Sequence, residues 1–240
     1  MFFIVIYVVG TPKKYNERSN DMHNLLDLIK TTDEYITYLK DHNFKFDENG
    51  FPIFKDNMFL IETPELIVPY SNRNDKRVKN KKKTLLCNFA PDKRIYPRIK
   101  NIFKEIEIYK KYLGVATADI TVTDDMDKEW QELIILLNQL YGAILVVNGI
   151  KIALNTRIGS SINIKLYKNL PKNIICISSF LGCKKENKYD YSYLSKILNF
   201  LPSKLLIYGK EDKNVNVMLD NMGINYKYYI DFHKLSKGVV

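Results

Sequence analysis

From Thr84 onward, apolar runs of strand length alternate with helical patterns, and no other feature of this sequence limits its fold so tightly. The strand candidates are Thr84 to Phe89, Val115 to Val122, Ile150 to Asn155, Asn173 to Ser178, Lys204 to Tyr208 and Asn225 to Ile230. Helical patterns fill most of the gaps: Asn101 to Leu113, Met126 to Val147, Asp190 to Leu201 and Lys213 to Met222. Each of these ends on glycine, Asn-Gly or proline, residues that stop a helix. Strands of continuous apolar character joined by helices are buried on both faces, which predicts an α/β domain with a mostly parallel sheet or an incomplete barrel. The interval from Ile150 to Asn173 carries only a weak helical signal, in Ser160 to Asn169.

The first third reads differently, as a small α+β piece. Asp21 to His42 has helical spacing, and FKFDENGFPIF has a hairpin signal at Glu48-Asn49-Gly50. Met1 to Val9 is apolar, lacks a basic flank, and is far too short to span a bilayer, so it reads as a buried strand. The expected division is residues 1–71 as the amino-terminal piece, 72–83 as a basic linker or loop, and 84–240 as the α/β domain.

Charge is concentrated at that boundary. The chain has 240 residues with a formal net charge of +10. Between Asn72 and Lys100 stand Arg73, Lys76, Arg77, Lys79, Lys81, Lys82, Lys83, Lys93, Arg94, Arg98 and Lys100 against Asp75 and Asp92 alone, so almost the whole excess lies there. Such a segment can pair with phosphates and release counterions, or can serve as a solvated loop. No known nucleic-acid motif organises the neighbouring Tyr70, Phe89 and Tyr96. Hydrophobic residues at 46% supply a core and exclude wholesale disorder. Cys87, Cys176 and Cys183, an odd number with no C-x-x-C pair, fit a reducing cytosol better than a disulfide framework.

In α/β folds the functional site lies at the carboxyl ends of the strands, and these ends are polar here. Alternation from Val115 to Thr123 puts Thr117, Asp119, Thr121 and Thr123 on one face. A carboxylate in mid-strand must be hydrogen-bonded or paired, which singles out Asp119, with Arg157 as its expected partner. These two are the catalytic candidates if the protein is an enzyme. Thr117, Thr121, Asp124, Asn155, Ser178, Cys183 and Tyr208 complete the expected pocket. Asp124, Asp125 and Asp127 precede a helix, where aspartate caps, and no metal is expected of them. Gly159-Ser160-Ser161 is a weak anion-cradle signal. Cys183, beside Lys184 and Lys185, has neighbours that would favour a thiolate, although a lone cysteine there is more often structural. His23, His42 and His233 are isolated, and no nucleotide-loop, nucleophile-elbow or zinc-protease motif occurs, so no cofactor is indicated.

From IVPYSN at Ile67 to the Tyr208-Gly209 pair, the order of motifs resembles the phage and mobile-element proteins of the domain of unknown function 4417 family. YLGVATADITVTDDM resembles that family's G-V-x-x-P-D-F-S-x-x-x-D-M run, and NGIKIALNTRIG stands where the family has a Gly-Ile-x-Val-Ile-Pro strand. The IISS-type strand followed by LGC, and LPSKLLIYGK, complete the series. The resemblance implies that Asp119, Asp124, Gly149, Gly182, Cys183, Tyr208 and Gly209 fall on family-typical positions. The family carries no assigned activity, so the resemblance implies a context and no mechanism. Ala118 replaces the family's proline, NFAPDKR replaces an acidic pair, and Thr156-Arg157 replaces an aromatic. In an enzymatic family those departures would mark a member reduced to binding.

The reading that follows is a cytosolic phage-type accessory protein that binds nucleic acid or a nucleoprotein complex through the basic surface, with no membrane partner. One alternative is an inhibitor of a host defence complex acting by direct protein binding. Another is an enzyme working on a small anionic or phosphorylated substrate at the strand ends.

Overall fold

The computed structural model describes residues 25–155, 157–179, 197–232 and 234. The elements in chain order are α1 (Leu25–Asp41), β1 (Leu66–Pro69), β2 (Thr84–Cys87), α2 (Asp92–Lys100), α3 (Ile102–Tyr109), β3 (Gly114–Ala116) and α4 (Lys128–Val147), followed by β4 (Ile152–Ala153), β5 (Ile175–Ser179), β6 (Lys204–Tyr208), α5 (Lys213–Asn221) and β7 (Tyr226–Tyr229). The fold is α/β, and every strand pairing is parallel.

Strands β1 to β4 form one sheet and β5 to β7 a second, each in sequence order. A bridge between Leu154 and Cys176 joins the two edges, with Ile177 N–H donating to the Leu154 carbonyl at 2.8 Å. The result is a continuous run of seven strands in chain order. It curls until its ends meet: the Tyr229 hydroxyl on β7 donates to the carbonyl of Pro64, just before β1, at 2.6 Å. Across the interior, the ring of Phe89 beyond β2 stacks on Tyr208 of β6 at 5.5 Å. Side chains bridge the β1–β7 gap, and among the described residues no backbone ladder does. This is a barrel stopped short of closure.

All four side chains of β2 are buried, as expected of a strand covered on both faces. Pro69 ends β1, a strand paired only with β2, where a missing N–H leaves no ladder bond unmade. The long helix α4 is apolar and long enough to cross a membrane, but 67% of its apolar window is buried inside the molecule. Ile134, Leu137, Leu140 and Ile144 face the core, and α1 packs against α4. Its stop is Gly149, whose φ of 78° lets Ile150 N–H turn back to the Leu145 carbonyl at 3.0 Å.

Several boundaries move. The basic stretch 72–83 does not separate two units, because β1 pairs along its length with β2, and the stretch between them is the crossover within one sheet. From Leu25 onward the amino-terminal piece packs into the same body. Leu60 N–H donates to the Ile152 carbonyl at 2.9 Å, and the buried Tyr35 of α1 donates to the Ile99 carbonyl. A hairpin does form at Gly50, with a bridge between Phe46 and Pro52. Helix α2 was not expected, because Pro97 lies inside it and can make no bond back along the helix. The apolar start at Met1 to Val9 and most of the segment from Asp190 lie outside the described residues.

Candidate functional site

Beyond Ala116 the chain leaves the ladder, and side chains take over the backbone's partners. The Thr117 hydroxyl accepts from Asn155 N–H at 2.8 Å and donates to the Asn155 carbonyl at 3.0 Å. This fixes Asn155, whose amide donates to Asp119 Oδ1 at 2.7 Å. Arg157 grips the same carboxylate with two donors, Nε at 2.6 Å and Nη2 at 3.1 Å. The Asp119 side chain is 8% exposed and that of Arg157 28%. The structure therefore brings together Thr117, Asn155, Asp119 and Arg157 as the sequence predicts. The two oxygens of Asp119 meet the guanidinium fork of Arg157 and fix its orientation.

The expected face continues into solvent, since Thr121 and Thr123 are exposed while Ile120 and Val122 are buried. Thr121 nevertheless has a role. Its N–H and hydroxyl both donate to Asp92 at the start of α2, at 3.2 and 3.1 Å. Partial burial raises the proton affinity of Asp92, with the Asp119 charge adding to the rise and Arg157 opposing it. Asp92 is therefore a second carboxyl at the site. The signal for it in the sequence is slight, a Pro-Asp pair shortly after a strand.

The loop carrying Arg157 is held by Gln131 in the first turn of α4. Gln131 donates to the Met126 carbonyl at 2.7 Å and accepts from Ser160 N–H at 3.2 Å and from the Asn163 amide. Gly159 sits against it: a Cβ there would lie 2.6 Å from Gln131 Oε1, at a φ of 57°. The Gly159-Ser160-Ser161 backbone is thus occupied by a glutamine and is no ready anion cradle.

Other expected pocket members part company with this cluster. Asp124 is exposed on the turn before α4, and among the described residues no three potential ligands gather for a metal. Thr123 donates to Asp125 instead. Tyr208 is fully buried, its oxygen accepting from Phe232 N–H at 2.8 Å and donating to Asp231 at 3.3 Å, so it plugs the interior rather than lining a pocket. Ser178 is half-buried on β5. Burial pushes the thiols of Cys87 and Cys176 up to about 12, which makes them packing residues. Cys183 lies outside the described residues.

The basic residues do not form one surface. A parallel crossover leaves at the carboxyl end of β1 and returns at the amino end of β2, so its two ends lie on opposite sides of the sheet. Lys81, Lys82 and Lys83 lead into β2, away from the site. Lys81 lies over the Tyr112 ring, Lys82 donates to the Lys110 carbonyl, and Lys83 pairs with Glu62 at 2.7 Å. Lys79 is exposed on the way there. At the carboxyl end, Arg77 is bound twice by Asp75 at 2.8 Å and covers Phe232. Arg73 and Arg98 both lie over the ring of Tyr70, at 4.1 and 4.6 Å. Lys76 on the crossover and Lys93 and Arg94 in the first turn of α2 are exposed and without an ion pair among the described residues. Tyr70, immediately after β1, organises the arginines and was not recognisable as a site residue from sequence.

Comparison of the chain with protein-family models, with curated proteins and with solved structures finds no match. What the fold and site define is a parallel α/β protein with a basic, carboxylate-bearing face at the carboxyl ends of its first four strands.

Proposed function

We infer that this protein binds nucleic acid, free or within a nucleoprotein complex, through the face at the strand carboxyl ends. The observation that carries the reading is the set of exposed cations Lys76, Lys93 and Arg94 near in sequence to the partly buried Arg73 and Arg98, none of them in an ion pair among the described residues. Phosphates would be bound by charge-assisted hydrogen bonds and displaced counterions. Two free, buried cysteines suit a reducing cytosol, and the motif order adds a phage-type accessory context.

Binding of single-stranded DNA, duplex DNA and RNA across a salt series tests this. The double variant Lys93→Gln/Arg94→Gln should flatten the logarithmic salt slope by about two, while Lys81→Gln/Lys82→Gln/Lys83→Gln leaves it unchanged. No binding at low salt, or equal slopes in the parent and the first variant, overturns the reading. Absence of all nucleic-acid binding would direct attention to a host defence protein as the partner.

A second reading, an enzyme acting on a small phosphorylated substrate at the same face, is favoured by Asp92. It is a carboxyl whose proton affinity burial raises, close enough to the Asp119–Arg157 pair to feel both charges. Phosphate release from a panel of phosphomonoesters by the parent, abolished in Asp92→Asn, would establish it. No release by the parent removes it.

A further inference from the structure

Arg73 and Arg98 are short of acceptors. Arg98 donates to Asn88 Oδ1 at 3.2 Å and Arg73 to the Tyr70 carbonyl at 3.2 Å, and among the described residues these neutral groups are the acceptors their side chains meet. A guanidinium has five N–H donors, and one partly withdrawn from water is costly unless its charge is met. The carboxylates of this region have partners of their own: Asp75 binds Arg77, Asp119 binds Arg157, Asp92 accepts from Thr121 and Asp231 accepts from Tyr208. Glu105, beyond Tyr109, makes no ion pair among the described residues, and its buried oxygen has no hydrogen-bond partner.

The two cations are also close together. Both guanidinium carbons lie over one ring, so their separation cannot exceed the sum of their distances to its centre. Burial lowers the proton affinity of Arg98; Tyr109, Tyr141 and Cys87 oppose the fall and the charge of Arg73 adds to it, so the two guanidinium groups lie within electrostatic reach of each other. The hydroxyl of Tyr70 is buried without a partner among the described residues, which leaves another unsatisfied donor beside the pair. Asn88 ties the pair to the sheet. Its amide donates to the Ala116 carbonyl on β3 and to the Tyr141 hydroxyl, so the acceptor that holds Arg98 is itself held in place.

An internal phosphodiester offers one negative charge and two free oxygens. A phosphomonoester offers nearly two charges and three oxygens, and so matches two forked cations gathered at one ring. We propose that Arg73 and Arg98, set around Tyr70, form a clamp for a phosphomonoester, the terminal phosphate of a nucleic-acid strand. The clamp rests on the nucleic-acid reading for its source, while Lys76, Lys93 and Arg94 supply the contacts to the phosphates that follow.

The experiment measures affinity at one salt concentration for oligonucleotides of one sequence bearing a 5′-phosphate, a 3′-phosphate or hydroxyl ends. Inorganic phosphate and a nucleoside 5′-monophosphate serve as competitors. A preference of at least about tenfold for one phosphorylated end is expected. Arg98→Gln and Arg73→Gln should each bring that ratio close to one, and Arg98→Lys, which keeps the charge without the fork, should lower it partway. Lys93→Gln/Arg94→Gln should weaken all three oligonucleotides alike and leave the ratio intact. Equal binding of phosphorylated and hydroxyl ends by the parent overturns the clamp and leaves the nucleic-acid reading standing. No oligonucleotide binding, with the monophosphate still raising the melting temperature of the parent but not of Arg73→Gln, overturns that reading and assigns the clamp to a small phosphorylated ligand. If Arg98→Gln fails to fold, the more peripheral Arg73→Gln decides.

Discussion

The two sheets differ in where their hydrogen-bond ladders stop. β5 and β6 run five residues each and remain paired to their ends, with Ser179 opposite Tyr208 and Tyr208 opposite Tyr229. β3 has three residues and β4 two. Past those short strands the chain continues extended, but Thr117, Asn155 and Asp119 provide the partners that a neighbouring strand would otherwise supply. The long β6 ends in Tyr208, buried and stacked on Phe89 of the other sheet, whereas the short strands end in a charged cluster. A backbone that keeps its ladder leaves side chains free only to pack. One that gives the ladder up must recruit polar side chains, and these are the residues a ligand can meet.

The difference can be broken first in the long-stranded sheet. Leu206→Ala, at a fully buried position of β6, should cost about 3 kcal/mol of stability in denaturant unfolding, a loss of core packing alone. Asp119→Ala should follow at about 2 kcal/mol. It strands Arg157 without its carboxylate, and the partial exposure of Arg157 reduces the cost below that of a fully buried pair. A loss under a few tenths would mean that the pair contributes nothing to the fold. Thr117→Val removes the hydroxyl that replaces the ladder and should cost about 1 kcal/mol, while Ser178→Ala at the end of β5 should stay within about 0.5 kcal/mol. Equal costs would show that the two sheets end alike.

The smallest effect is a pH dependence. Asp92 holds its proton more tightly when folded than an ordinary aspartate, because burial disfavours the charged form. Its contribution to stability is therefore fully present below the usual carboxyl range and is lost as pH rises through its raised value. Asp92→Asn should melt slightly above the parent near pH 7, with the gap closing toward about pH 3. A gap that widens on acidification would reverse the sign assigned to this carboxyl.

Much of the sheet could be read from the chain because its signals are local. β6 covers the expected Lys204 to Tyr208, and α4 fills Lys128–Val147 within the expected Met126 to Val147. β1 was missed because prolines flank it, and β3 was drawn too long because alternation continues to Val122 after pairing has ended. At the site, the Asp119–Arg157 pair was legible from a single fact, a carboxylate in an apolar alternation. The division of the basic run was not. Which lysines turn toward the strand carboxyl ends depends on the path of the crossover, and no run of cations encodes that path. The arginine pair at Tyr70 was hidden for the same reason, since Arg98 reaches it from α2.

The chain-order arrangement of the strands also bears on how the molecule is assembled. Each strand's neighbour is the one made just before it, so a growing chain can add to its own exposed edge without waiting for distant segments, and the entropy of closing long loops is met in small steps. Until β7 arrives, every intermediate carries an open parallel edge able to recruit another chain. The contact of Tyr229 with Pro64 joins residues far apart in sequence, so the last strand to be made carries a side chain back across the seam to the first.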